Sequence, residues 1–280
     1  MEALGILSTL PALKDLVLRF RVNDGPFRPN TQANDYPPEV VLQFLILRSL
    51  GENIQPSPLK SLTINNILPL PHPYLSSESM IGLLSTLTHF AVNTTSYCAS
   101  FPMTDPRILW PSASHLFQKE ALSSSLVSLQ LHHACVRSAE VVAPISEIQL
   151  PSLAYLSLQR TYFSDQSELE LFISRHGGTL VELKLFLCPM ALSTQITSGL
   201  RPESFRRWAQ VWEQLNSDLM ALKDLVVSER HDSNGVRDVR FGRYIDNCYR
   251  CNVVDLVVVD MAADDAALQR FLENVESRSQ

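Results

Sequence analysis

Three copies of one short pattern decide the fold of this chain: Leu126-Val-Ser-Leu129-Gln-Leu131, Leu153-Ala-Tyr-Leu156-Ser-Leu158 and Leu180-Val-Glu-Leu183-Lys-Leu185. Each copy reads Leu-x-x-Leu-x-Leu and starts 27 residues after the copy before it. Alternate residues of a β-strand point to opposite faces, so the last two leucines of each copy are expected to face the core together. A fixed period in the range of about 20–50 residues is typical of proteins built from stacked repeats.

Five further segments carry looser versions of the same pattern. They begin at Leu13, Leu59, Leu87, Leu222 and Val253. The residues between the copies show helical spacing, so each unit reads strand, loop, helix, strand. The sequence therefore predicts an α/β solenoid, with a curved parallel sheet of about eight strands on the concave side and helices on the convex side. We expect residues 1–280 to form this single domain.

The clearest helix signal lies between the fifth and sixth predicted strands. Asp165-x-x-Glu168 has the spacing of a capping box, and the apolar positions Leu169, Phe172 and Ile173 follow. Gly177-Gly178 is expected to end this helix in the left-handed conformation.

Two later helices are predicted to close the C-terminal part of the domain. Trp208 and Trp212 belong to an apolar stripe that is expected to lie in the core rather than to dock a partner. A capping helix is expected near residues 264–275, with Asp264 and Asp265 stabilising its own N-terminal end. Its predicted inner face consists of Leu268, Phe271, Leu272 and Val275.

The eight copies, with helices between them, resemble leucine-rich-repeat (LRR) proteins, and specifically the divergent LRR regions of F-box proteins as found in fungi. The resemblance covers roughly residues 10–259, and Cys188 stands at the Asn-or-Cys position of the longer family consensus. In F-box proteins an N-terminal helical module docks a cullin-based ubiquitin ligase, and the repeats hold the substrate. The resemblance therefore implies a protein-binding function with ubiquitin-ligase subunits as partners. The alternative is a free-standing LRR scaffold or regulator with no link to a ligase.

Residues 36–45, Tyr-Pro-Pro-Glu-Val-Val-Leu-Gln-Phe-Leu, are similar to the opening of that docking module. The favoured interpretation is different: a copy of the strand pattern precedes this segment and another follows it. We therefore expect these residues to form the convex helix of the first repeat.

Composition and motifs argue against other classes of function. The net charge of −6 does not suit nucleic-acid binding, which needs a basic face, and no apolar stretch approaches the ~18 residues of a membrane span. The N-terminus has an acid where a secretory signal has basic residues, so we expect an intracellular protein, cytoplasmic or nuclear. Cys248-x-x-Cys251 has no second ligand pair nearby and is expected to be packed in the last repeat. We therefore predict no enzyme activity, no catalytic residues, no metal and no cofactor.

The residues between the leucines are expected to form a protein-binding surface on the concave face. The candidate binding residues are Gln130, His132, Tyr155, Gln159, Glu182, Lys184, Phe186, Asp224 and Asp255. Tyr155 and Phe186 are aromatic anchors of the kind that dominate interface energetics. Glu182, Asp224 and Asp255 are expected to stack into an acidic edge that prefers a basic partner; the alternative is that this row is merely solvated.

Overall fold

The computed structural model describes residues 12–21, 38–53, 59–67, 74, 77–94, 125–132, 148–161, 163, 169–192, 206–228, 244–246 and 261–280. The chain divides into two compact units, and each is described by itself. Unit 1 comprises Met1–Cys135 with Leu150–Ser152, and unit 2 comprises Val136–Gln149 with Leu153–Gln280.

The described part of the chain contains both strands and helices, as the sequence predicts. The strands are β1 (Asp15–Arg19), β2 (Ser61–Ile67), β3 (His89–Thr94), β4 (Ser128–His132), β5 (Tyr155–Gln159), β6 (Glu182–Phe186), β7 (Met190–Leu192), β8 (Asp224–Ser228) and β9 (Tyr244–Asp246). The helices are α1 (Pro38–Asn53), α2 (Glu78–Leu84), α3 (Leu169–Arg175), α4 (Trp208–Asp218) and α5 (Met261–Ser279).

The fold is α/β, with four parallel strands in the sheet of unit 1 and three in the sheet of unit 2. Within unit 1 the strands β1, β2, β3 and β4 pair in chain order, and within unit 2 the strands β5, β6 and β8 pair in chain order. The short strands β7 and β9 form a separate parallel pair. Seven of the eight predicted strands are confirmed. The eighth, at residues 253–258, lies outside the described residues, as do the predicted capping box and the Cys248-x-x-Cys251 motif.

The repeated leucines are aligned across each sheet. In unit 1 the second leucine-type position forms the register Leu16–Leu62–Phe90–Leu129, and in unit 2 it forms Leu156–Leu183–Leu225. All of these side chains are buried except Leu16, which is half-buried on the first strand. The expectation that the leucines face the core together is therefore confirmed.

A repeated hydrogen-bond step fixes where each strand begins. The backbone carbonyl one residue after the first leucine of a copy accepts the N–H groups of two successive residues of the next copy. In unit 1 the accepting carbonyls belong to Lys14, Lys60 and Thr88, and in unit 2 they belong to Ala154 and Val181, with donor–acceptor distances between 2.7 and 3.1 Å. This step locks the register of neighbouring copies.

Three residues within one position of a strand end have a left-handed backbone conformation. Asn66, Arg160 and Leu187 have φ angles of 60°, 54° and 52°. Asn adopts this conformation more readily than other L residues, and the Asn66 side chain also donates to the Phe20 carbonyl at 3.1 Å. The same left-handed conformation therefore recurs near the ends of β2, β5 and β6, although the sequence pattern does not mark it with glycine.

Gly177, which follows helix α3, has a role that differs from the predicted one. Neither Gly177 nor Gly178 has the positive φ of a left-handed stop, so that prediction is wrong. A Cβ at Gly177 would overlap the carbonyl oxygen of Asp218 and would lie 2.8 Å from its carbonyl carbon. The Gly177 carbonyl in turn accepts from the N–H of Ala221. Gly177 is therefore required by the close approach of the backbone that follows α4.

Aromatic rings form the core beneath α4. Phe163 lies 4.8 Å from Trp208, Trp208 stacks on Trp212 at 4.6 Å, and Trp212 lies 6.4 Å from Phe271 of α5, all between ring centroids. Each of these four side chains is buried. The prediction that the tryptophan stripe belongs to the core is confirmed.

Helix α5 runs alongside α4 and caps both of its ends. Asp264 is fully buried and accepts from the N–H of Ala209 at 2.8 Å. At the other end, Arg278 donates to the carbonyls of Leu219 and Asn216 at 2.7 and 3.0 Å. A carboxylate at the N-terminus and a cation at the C-terminus both complement the dipole of α4. Asp264 lies in the first turn of α5, as predicted, and in addition it caps the N-terminus of the preceding helix.

The buried stripe of α5 also differs in part from the predicted one. Phe271 and Val275 are buried as predicted, and they are joined by Ala267 and Asp264. Leu268 and Leu272 are only half-buried, since they lie at the edge of the stripe formed by the four buried residues.

Gly177→Ala is expected to lower the free energy of unfolding by about 1–3 kcal/mol, because the added methyl group overlaps the Asp218 carbonyl. Gly178→Ala is the matched control, since nothing lies within 4 Å of a Cβ there; it should change stability by less than about 0.5 kcal/mol. Urea denaturation of both variants measures the difference. Equal effects at the two positions would contradict the close-approach explanation.

Asp264→Ala is expected to cost about 1–2 kcal/mol, since it removes the acceptor that caps the N-terminus of α4. Asp265→Ala, at the exposed neighbouring position, provides the control and should cost less than about 0.5 kcal/mol. Hydrogen exchange of the Ala209 amide should accelerate in the first variant alone. Unchanged protection of that amide would show that the cap does not operate.

Candidate protein-binding surface

The outward positions of β1 to β4 form one polar surface, here called the unit 1 face. Its residues are Asp15, Val17, Arg19, Ser61, Thr63, Asn65, His89, Ala91, Asn93, Ser128, Gln130 and His132. The only charged members are Asp15 and Arg19, both on β1. Strands β2, β3 and β4 therefore present an uncharged surface of small and amide-bearing side chains.

Side-chain amides connect three strands of the unit 1 face. Asn93 of β3 donates to Asn65 of β2 through a short hydrogen bond, and Gln130 of β4 donates to Asn93 at 3.4 Å. The Gln130 amide group also contacts Nδ1 of His132 at 3.0 Å. We call this chain the amide ladder. It holds the side chains of the face in fixed conformations, which lowers the entropy lost when a partner binds.

His132 is an uncharged member of this ladder. The residue is half-buried rather than fully exposed to solvent, and burial lowers the pKa of His132 to about 4. Because the neighbouring Gln130 amide is a donor, Nδ1 must act as the acceptor and Nε2 carries the proton. Protonation of Nδ1 would place two donors against each other, so the geometry favours neutral imidazole.

The outward positions of β5, β6 and β8 form the second surface, here called the unit 2 face. Its residues are Tyr155, Ser157, Gln159, Glu182, Lys184, Phe186, Asp224, Val226 and Ser228. Tyr155 is 42% exposed, and it is the only exposed large apolar side chain in β5, β6 and β8 as described. The register places Tyr155, Glu182 and Asp224 side by side on adjacent strands.

An ion pair changes the charge of the predicted acidic edge. Lys184 is paired with Glu182 on the same strand, and the hydrogen bond that Lys184 donates to Glu182, together with the charges of Glu182 and Asp224, raises the pKa of Lys184. Two carboxylates therefore surround one ammonium group in the described part of the edge. The third predicted carboxylate, Asp255, lies outside the described residues.

Cys188 occupies a structural position just after β6. Its thiol donates to the carbonyls of Leu158 and Phe186 at 3.6 and 3.5 Å. The residue as a whole is half-buried, but burial of the sulfur raises the pKa of the Cys188 thiol to about 12. The thiol thus satisfies backbone groups of two neighbouring strands and is not poised as a nucleophile.

The structure gathers the sequence-predicted residues into two groups. Gln130 and His132 lie on the unit 1 face, and Tyr155, Gln159, Glu182, Lys184, Phe186 and Asp224 lie on the unit 2 face. The sequence analysis did not select Asn65 and Asn93, although the ladder depends on them. The signal that could have found them is an Asn at the same outward position in two successive copies.

Stability is expected to fall as the pH drops below the ordinary histidine pKa of 6.5. Burial lowers the pKa of His132 to about 4, and it also lowers the pKa of His176, where the charge of Arg175 acts in the same direction. The unfolded chain then binds protons that the folded chain does not, so stability is full above pH 6.5 and is lost toward pH 4. Urea midpoints measured at pH 7.5 and at pH 5.2 test this.

His132→Gln should remove part of that loss, because one of the two titrating groups is gone. His89→Gln is the control: His89 lies on the adjacent strand but is exposed. A loss of stability that is the same in wild type and His132→Gln would contradict the assignment of His132 as a neutral ladder member.

No group of three or more His, Cys, Asp or Glu side chains that could hold a metal ion occurs in the described ranges. Among the five described helices, none combines the length and apolar character needed to cross a membrane. Neither a scan against protein-family models nor a search of the curated proteins finds a match for this chain.

Proposed function

We propose that this chain is a non-enzymatic protein–protein interaction module built as a leucine-rich-repeat solenoid, with the outward strand positions as its binding surface. The observation that carries the proposal is the parallel register of the copies. It buries the second leucine-type position of every described copy except Leu16, which is half-buried, and leaves the positions between the leucines on one side of each sheet. Hydrogen bonds and an ion pair then hold the side chains on that side in place.

The more specific form of the proposal is substrate recognition for a cullin-based ubiquitin ligase, in the cytoplasm or nucleus. Helix α1 covers most of the segment that is similar to an F-box opening. It lies in sequence between β1 and β2 and packs against α2. The packing is close at Gly51, where an added Cβ would lie 3.1 Å from the backbone nitrogen of Met80. This placement supports a repeat helix rather than a ligase-docking module in this segment. The alternative function is a free-standing scaffold or regulator.

A steric block of the outward positions tests the general proposal. Ser128→Arg on the unit 1 face and Ser157→Arg on the unit 2 face each place a long side chain at an outward strand position. The tagged chain and both variants are purified from native cells, and co-eluting proteins are quantified by mass spectrometry. At least one face variant is expected to reduce recovery of a partner by about fivefold or more, as for the loss of an interface hot spot.

Ser217→Arg is the matched control, since Ser217 is exposed on α4, away from the strands. Thermal melts of all three variants establish that each is folded. Equal recovery of every partner by wild type and both face variants would overturn the proposal. Cullin and adaptor peptides at near-stoichiometric levels would favour the ligase function, and their absence beside a face-dependent partner would favour the scaffold.

A further inference from the structure

Three side chains of the unit 2 face form a row with a distinctive combination of groups. Tyr155, Glu182 and Asp224 are direct register partners on three adjacent strands. Neighbouring strands are about 4.8 Å apart, so an aromatic ring stands on one side of the central Glu182 and a carboxylate on the other. We call these three residues the tyrosine–carboxylate row.

The row already holds one cation. The ammonium group of Lys184, from the next outward position of β6, is paired with Glu182 and lies within the field of Asp224. The side chain of Lys184 remains 37% exposed, and that of Glu182 25% exposed. Such a pair in contact with water contributes little to stability, so an incoming cation can displace Lys184 at small cost.

A guanidinium group fits the row better than a second ammonium group would. Its planar fork can bind a carboxylate with two hydrogen bonds, and its face can stack on an aromatic ring. Lys184 satisfies Glu182 but provides no group to cover the exposed ring of Tyr155, which is on the neighbouring strand. Asp224 is exposed on the far side of the row, so it remains accessible to a second donor of the same guanidinium.

We propose that the tyrosine–carboxylate row receives an arginine side chain from a protein partner, with Lys184 as the built-in competitor that the arginine displaces. The inference rests on the proposed function and names the chemistry of the partner for the unit 2 face. The arginine stacks on Tyr155 and pairs with Asp224 and Glu182. The charge of the row, two carboxylates against one ammonium group, supplies the attraction.

Titration of the full-length chain with short blocked peptides tests this inference. The probe is N-acetyl-Gly-Arg-Gly-Arg-Gly amide, with the lysine and glutamate versions as comparisons, each in 50 mM and 300 mM salt. Binding is followed by the backbone amide resonances of β5, β6 and β8. The arginine peptide is expected to shift the amides of Tyr155, Glu182 and Asp224 saturably and to bind more tightly than the lysine peptide. The glutamate peptide should not bind, and high salt should weaken the arginine peptide.

Variants in the row should act in opposite directions. Tyr155→Ala and Asp224→Asn should each lower the affinity for the arginine peptide by about two- to fivefold, as expected for exposed cation–π and ion-pair contacts. Lys184→Met should raise it by about twofold, since the competitor is gone. Glu273→Gln removes one exposed carboxylate from α5 and should leave the affinity unchanged.

Four results would overturn the inference. Two concern the wild type: no saturable binding of the arginine peptide, or equal binding of the lysine peptide. Two concern the variants: Tyr155→Ala and Asp224→Asn lowering the affinity no more than Glu273→Gln does, or Lys184→Met binding the arginine peptide more weakly than the wild type. The outcome is separable from that of the proposed function. Loss of a cellular partner in Ser157→Arg, together with failure of the arginine peptide, would retain the binding surface and reject the arginine. Specific arginine binding with no face-dependent cellular partner would retain the arginine and reject the proposed function.

Discussion

The structure depends on one repeated hydrogen-bond step, in which a single carbonyl receives two successive N–H groups from the next copy. A slip of one residue in strand pairing would move every buried leucine to the outer side of the sheet and every outward residue to the core. The step prevents this slip at the first residue of the strand, at Lys14 and again at Ala154. Burial of the leucines and exposure of the candidate binding residues are therefore consequences of the same constraint.

The strands and their register could be predicted because they depend on a local signal. Leucines at fixed spacing, with a period of two along each strand, identify both the strand and the side of the sheet that each residue occupies. The pairing of Tyr155 with Glu182, and of Glu182 with Asp224, follows directly from aligning the copies. No knowledge of side-chain conformation is needed to reach that point.

Other features could not be predicted because they join residues that are far apart in sequence. Asp264 caps a helix whose N-terminus is 55 residues earlier, and Gly177 is required by the backbone at Asp218. A local pattern assigned both residues to their own helix ends, since local rules consider only the nearest turn. The candidate site shows the same limit in another form: position alone places Glu182 on an acidic edge, whereas the conformation of Lys184 decides how much of that charge a partner meets.

The repeated hydrogen-bond step also makes the geometry of the sheet independent of the length of the connections between copies. The accepting residues Lys14 and Lys60 are 46 residues apart in sequence, whereas Ala154 and Val181 are 27 residues apart. The same pair of N–H hydrogen bonds forms in both cases. Insertions between copies therefore leave the strand positions unchanged, because the same hydrogen bonds restore the register at the start of each new copy. Loops in such a chain can diverge in length and composition while the outward rows keep their spacing, so the outward surface and its connections can change independently during evolution.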